Sequence, residues 1–117
     1  MDYKQIYDKV MGIDPLTRLV TICDRDGKIM YSGHREGAKN LLTEDESKRS
    51  LELAVNSWKT RSLLEPKLGK GRYVLAEYEK ITRITMPLDD NHLLYITTEV
   101  GADHLKIINH VRELNLQ

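Results

Sequence analysis

Phenylalanine is absent from this 117-residue chain, and tryptophan, cysteine and proline are scarce, at one, one and three residues. Without phenylalanine the core has to come mainly from leucine, isoleucine and valine, with the tyrosines at its edges. A lone Cys23 cannot close an intramolecular disulfide, which favours a reducing compartment. Set in an apolar run, it reads as a buried thiol rather than a redox centre. Net charge is missing too: 18 lysines and arginines balance 18 aspartates and glutamates, so no global field draws the chain to nucleic acid or an anionic membrane. No apolar run reaches the roughly 20 residues that a bilayer span requires. The stretch Met1-Asp-Tyr-Lys-Gln5 carries no signal-peptide pattern, so the cytoplasm is the default expectation. Internal repeats and low-complexity tracts are lacking as well. What is there is ordinary for a globular protein, 40% hydrophobic and 31% charged. The length suits one domain over residues 1–117, burying roughly two thirds of its unfolded surface.

The pattern starts with Tyr3, Ile6, Tyr7, Val10 and Met11 at helical spacing, with Asp2 placed to cap and Gly12 to stop the helix. The run Leu19-Val-Thr-Ile-Cys-Asp-Arg-Asp-Gly-Lys-Ile-Met-Tyr-Ser-Gly33 then predicts two short strands, over about 17–23 and 28–32. They fold back around the turn pair Asp26-Gly27, which accepts positive φ cheaply. Thr43-Glu-Asp-Glu46 is a capping box: the threonine oxygen accepts from the third helical amide while Glu46 reaches back. The helix it opens should reach about Leu64, stopped by Pro66 and Gly69. Glu44 and Asp45 precede Lys48 and Arg49 by four residues, the favourable order for surface pairs. Further strands are expected over 72–78, 82–87 and 92–98, with Asp89-Asp90-Asn91 turning between the last two. A last helix follows Asp103 and presents Leu105, Ile107, Ile108, Val111 and Leu114.

Two strands, Leu19-Val-Thr-Ile-Cys23 and Leu93-Leu-Tyr-Ile96, are apolar on both faces, as strands covered from both sides must be. They belong side by side in the centre. Hairpin neighbours outside them give an α+β fold: a five-stranded antiparallel sheet of order 2-1-5-4-3, the long helix on one face and the terminal helices on the other. On the long helix, Leu51, Ala54, Val55 and Trp58 form the core stripe. A second arc, Leu53, Ser57, Thr60 and Leu64, carries no charge. It is either incidental or meets a partner, because a helix leaning on one sheet needs only one apolar arc.

Chemistry is sparsely signalled. Leu68-Gly-Lys-Gly-Arg72 invites a phosphate-loop reading, but a helix precedes it and a strand follows, the reverse of what that motif needs. Lys67, Lys70 and Arg72 can still contact an anion or an acidic partner, though a solvated connection explains them as well. His104 and His110 are six apart, on different sides of one helix, and no HxxxH or cysteine pair accompanies any histidine. Glu77 and Glu79 suggest a carboxylate pair on one strand face, yet Lys80 and Arg83 bracket them and account for them as surface ion pairs. No catalytic, metal or cofactor residue is therefore assigned, and no cofactor is implied.

The hairpin Val20-Thr-Ile-Cys-Asp-Arg-Asp-Gly-Lys-Ile29 resembles the roadblock pattern, an apolar strand, an Asp-x-x-Gly turn and an apolar return strand. The α-β-β-α-β-β-β-α order is similar to the roadblock/longin/profilin group. The stretches Trp58-Lys-Thr-Arg61, Pro66-Lys-Leu-Gly69 and Ala76-Glu-Tyr-Glu-Lys80 also resemble a family of small proteins of ammonia-oxidising archaea, a resemblance that supplies no activity. The roadblock resemblance implies a homodimer or heterodimer formed through the long helix and the third strand, with one continuous sheet. It also implies service as a scaffold or regulator of small Ras-like GTPases. It would place Leu53, Ser57, Thr60, Leu64, Tyr73 and Leu75 at the dimer contact. The alternative is a PAS- or Cache-like sensor, in which Trp58 with Tyr73, Tyr78 and Tyr95 lines a small-molecule pocket between helix and sheet. Such sensors place several short helices where this chain offers one long capped helix.

Overall fold

The computed structural model describes residues 1–114. Helix α1 (Tyr3–Met11) starts where the Asp2 carboxylate accepts from the Gln5 amide, and it ends at Gly12, satisfying two of the orphan ends that every helix leaves. Strands β1 (Thr17–Asp24) and β2 (Ile29–His34) form the first hairpin. Residues 25–28 connect them rather than the two-residue Asp26-Gly27 turn expected. The Asp24 carboxylate accepts from the amides of both Asp26 and Lys28 at 2.9 Å, which widens the loop and leaves only Gly27 at positive φ, 92°. Met30 is an extra residue in this ladder, since Ile22 faces Tyr31 while Cys23 faces Ile29.

Helix α2 (Glu44–Leu63) carries the expected capping box in full, and Arg49 meets Asp45 at 3.2 Å on its surface. A four-residue helix, α3 (Glu65–Leu68), follows. Pro66 does not stop the chain there, because in a first helical turn its missing N–H has no intrahelical partner to lose. Gly69, at φ 81°, ends it. Strands β3 (Val74–Glu77), β4 (Ile81–Pro87) and β5 (His92–Glu99) complete the sheet before helix α4 (His104–Arg112), which Asp103 caps.

The sheet is antiparallel throughout, in the order β2-β1-β5-β4-β3. Alternation along each strand sorts its side chains onto two faces. Val20, Ile22, Ile84, Met86, Leu94 and Ile96 meet Ile6 and Val10 of α1 and Ile107, Ile108 and Val111 of α4 in the main core. On the other face a smaller cluster joins Cys23 and Leu93 to Val55 and Trp58 of α2. The long helix and the terminal helices thus cover opposite faces, as expected. Asp14 ties the first layer together: its buried carboxylate accepts from the Leu16 amide at 2.8 Å and the Asp103 amide at 3.1 Å, pinning the start of α4 to the start of β1. The Leu16 amide above all, with the Asp103 amide, holds this carboxyl below the ordinary aspartate range. Gly33 lies under the Tyr7 ring, where an added Cβ would come within 2.6 Å of the hydroxyl.

β3 is shorter than expected, four residues instead of the span 72–78. At its start Gly71 passes so close to Trp58 that a Cβ there would lie 2.7 Å from the ring, and at its end the Tyr78 amide turns to the Ile81 carbonyl.

Candidate functional site

α2 is held to the sheet through its middle. Ala54, Val55 and Trp58 are buried, and the Trp58 indole donates to Thr85 Oγ1 at 3.0 Å. That bond fixes the rotation of the helix, so the charge-free arc points away from its own core. Leu53 and Leu64 are 55% and 49% exposed. Ser57 is half-buried, and exposed Thr60 folds its hydroxyl back onto the Asn56 carbonyl. Of the four residues expected to act together, Leu53, Ser57 and Thr60 lie on α2 and Leu64 is its C-cap.

The sheet residues expected beside them divide. Leu75 faces Ile84 across the ladder, so it lies on the sheet face that α1 and α4 occupy, not under α2. Tyr73 precedes the strand and is exposed. Val74 is the β3 side chain that packs beneath the helix. β3 is the last strand of the sheet, and its outer edge pairs with nothing among the described residues. Leu63 and Leu68, 80% and 78% exposed, extend the apolar surface at this end, and their only sequence signal was being leucines off the core stripe.

The basic set does not converge. Lys67 and Arg72 are exposed, and Lys70 bonds Asp90 at 3.2 Å. Lys70 shares a cavity of about 510 Å³ with Asp89 and Asp90, whose charges oppose an anion there. The carboxylate pair also dissolves. Glu77 faces Thr82 on one side of the sheet, Glu79 lies in the turn, and neither forms an ion pair among the described residues. Arg83, expected to neutralise them, points to the α2 side and donates to Ser50 Oγ at 2.9 Å.

The histidines have structural or surface places. His92 lies 2.9 Å from both Asp89 and the Tyr3 hydroxyl, His104 contacts Thr98, and His110 turns to the Lys106 carbonyl. His34 is exposed at the end of β2. Burial pushes the Cys23 thiol up to about 11, which leaves it protonated and inert.

Between the first half of α2 and the sheet runs an open groove of about 1600 Å³. Here the first six residues of α2 are exposed, and the small Ser47 and Ser50 line the groove. Tyr78 and Tyr95 line the groove, whereas Trp58 is buried in the core and Tyr73 lies outside, so the four aromatics do not form one pocket. The Tyr95 hydroxyl is 2.7 Å from Ser50 Oγ, and the Arg83 guanidinium lies 5.9 Å and 5.7 Å from the Tyr78 and Tyr95 ring centres.

No family model matches the chain, and no curated protein does. Solved structures do. A roadblock/LC7 domain from Streptomyces avermitilis superposes with a TM-score of 0.73 at 14% identity, over 96% of this chain and 90% of that one. The gliding protein MglB from Thermus thermophilus gives 0.76 at 13% identity, over 93% and 79%. MglC from Myxococcus xanthus gives 0.64 at 12% identity, over 96% and 92%. At such identities the likeness establishes architecture, and the architecture is roadblock-like.

Proposed function

We propose that this chain, built on a roadblock-like fold, is a non-catalytic interaction module that works as a dimer and serves as a scaffold or regulator of a small GTPase. One observation carries the reading: Leu53, Thr60 and Leu64 of the charge-free arc stand exposed, with Ser57 half-buried, on a helix whose opposite side packs Ala54, Val55 and Trp58 inward, and the outer edge of β3 is paired by no strand among the described residues. Covering the exposed half of each leucine contributes about 1 kcal/mol. An unpaired edge strand is a liability that association through β3 removes. Tyr73, just before the strand, and Leu75, on the sheet face away from α2, extend the proposed contact along the β3 edge. Self-association is on record for one similar structure, MglB, described with a tetrameric arrangement. The GTPase follows from the roadblock resemblance.

Sedimentation velocity across a wide concentration range tests the dimer. The unmodified protein should shift from monomer to dimer, and Leu53→Glu should weaken that shift without changing the melting profile of the monomer. A sedimentation coefficient independent of concentration rules the dimer out. A small GTPase encoded beside this gene is the partner to add; co-sedimentation with the wild type and its loss in Leu53→Glu support the regulatory role.

A further inference from the structure

The groove under the first half of α2 holds two guanidinium groups in different states. Arg18, an extra residue in the β1–β5 ladder, is satisfied: it pairs with Glu99 at 2.5 Å and donates to the Lys39 carbonyl. Arg83 is not. Its Nη1 donates to Ser50 Oγ, while Nε and Nη2 find no acceptor among the described residues, and no carboxylate among them lies within ion-pair reach. Nε and Nη2 form one edge of the planar fork, the edge that a carboxylate engages with two parallel hydrogen bonds. Ser50 and the Tyr78 and Tyr95 rings hold that fork in place, so its orientation is prepaid.

Leu19 on the floor, Leu51 on the helix, Leu41 and Leu42 at the mouth, and Ile81 beside Arg83 give an apolar path; the lining also holds six carboxylates, among them Glu44, Glu46 and Glu79, which the lysines and arginines of the same lining balance. At about 1600 Å³ the groove exceeds the ~300–1,000 Å³ of a closed small-molecule pocket, which leaves room for a chain rather than a compact ring. A peptide suits it poorly. The floor strands β1 and β5 are central and paired on both sides, so an extended backbone laid on them would meet no free amides or carbonyls. An alkyl chain has no such groups to satisfy.

We infer that this groove is a binding site for a free alkyl carboxylate, its headgroup on the Nε–Nη2 edge of Arg83 and its chain along Leu19, Leu51 and Leu42. The headgroup site at Arg83 lies on the inward side of α2 and does not rest on the dimer reading, although Leu53 of the dimer arc also lines the groove.

The probes are decanoate, decanol and acetate, titrated into the full chain and followed by two-dimensional NMR that includes the Arg83 Nε–Hε signal. Decanoate should bind saturably at one per chain and move that signal. Decanol, with the chain alone, should bind at least tenfold more weakly, and acetate, with the head alone, should not saturate. Arg83→Gln should weaken decanoate to the level of decanol while the amide signals of α1 and α4 stay in place. Leu42→Glu, at an exposed loop position that cannot unfold the core, should weaken decanoate at least tenfold by placing a like charge at the mouth. Absence of saturable decanoate binding, equal affinity for decanol, undiminished binding by Leu42→Glu, or shifts confined to another face would each overturn the assignment.

Discussion

Replacing Asp14 by alanine should destabilise the protein by about 3 kcal/mol at neutral pH. The carboxylate receives two backbone amides, Leu16 at 2.8 Å and Asp103 at 3.1 Å. A hydrogen bond to a charged group contributes about 1.5–3 kcal/mol, and the lower figure applies because both amides are only partly buried. For a chain of this size that is a fall in Tm of about 12 °C. Asn at the same place keeps one acceptor oxygen and should cost about half as much.

The pH dependence separates this account from simple loss of packing. The folded pKa of Asp14 lies below its unfolded value, so its contribution is fully present above about pH 5 and is lost as pH falls through the folded value. The wild type should therefore lose stability in acid that Asp14→Ala does not, and the gap between them should narrow. Urea unfolding at several pH values, at one fixed protein concentration because association raises apparent stability, measures this. Amide exchange in α4 should quicken in the variant, since its first turn loses its anchor to β1. A loss below 1 kcal/mol at pH 7, or a gap that stays constant into acid, would refute the reasoning.

Trp58→Phe should cost about 2 kcal/mol in chemical denaturation, because it strands the buried Thr85 hydroxyl and leaves a small void beside Gly71. Cys23 should resist alkylation at pH 8 in the folded protein and react promptly once unfolded; ready labelling of the native state would contradict its burial. Gly33→Val should lower Tm, since its side chain would meet the Tyr7 ring, and Tyr7→Ala in the same chain should relieve part of that loss.

Strand order was legible because two runs, around Val20–Ile22 and Leu93–Ile96, had apolar residues on both faces and so had to lie centrally. The helix starts at Asp2, Thr43 and Asp103 were legible because a cap is a local bond between residues three apart. Properties that depend on residues distant in sequence were not. β3 begins only at Val74, after the chain has passed Trp58 at Gly71, a close approach across thirteen positions. Whether Arg83 answers Glu77 or Ser50 depends on which face of β4 it occupies, a parity that neighbouring charges do not reveal. The exposed arc of α2 was visible as a charge-free stripe, but the groove beneath the same helix arises from how far its first half stands off the sheet. Periodicity carries no information about that distance.

β3 offers a neighbour very little to hold. In an antiparallel ladder only alternate residues face outward, so a strand of four presents about two positions to an incoming strand. At a net ~1 kcal/mol per bond, such a seam is short-lived unless side chains reinforce it. On the proposed dimer reading, a partner docking here would draw its grip from the helix and its alignment from the strand. Such an assembly would form and exchange quickly, its occupants following the supply of partners rather than the order in which they arrived.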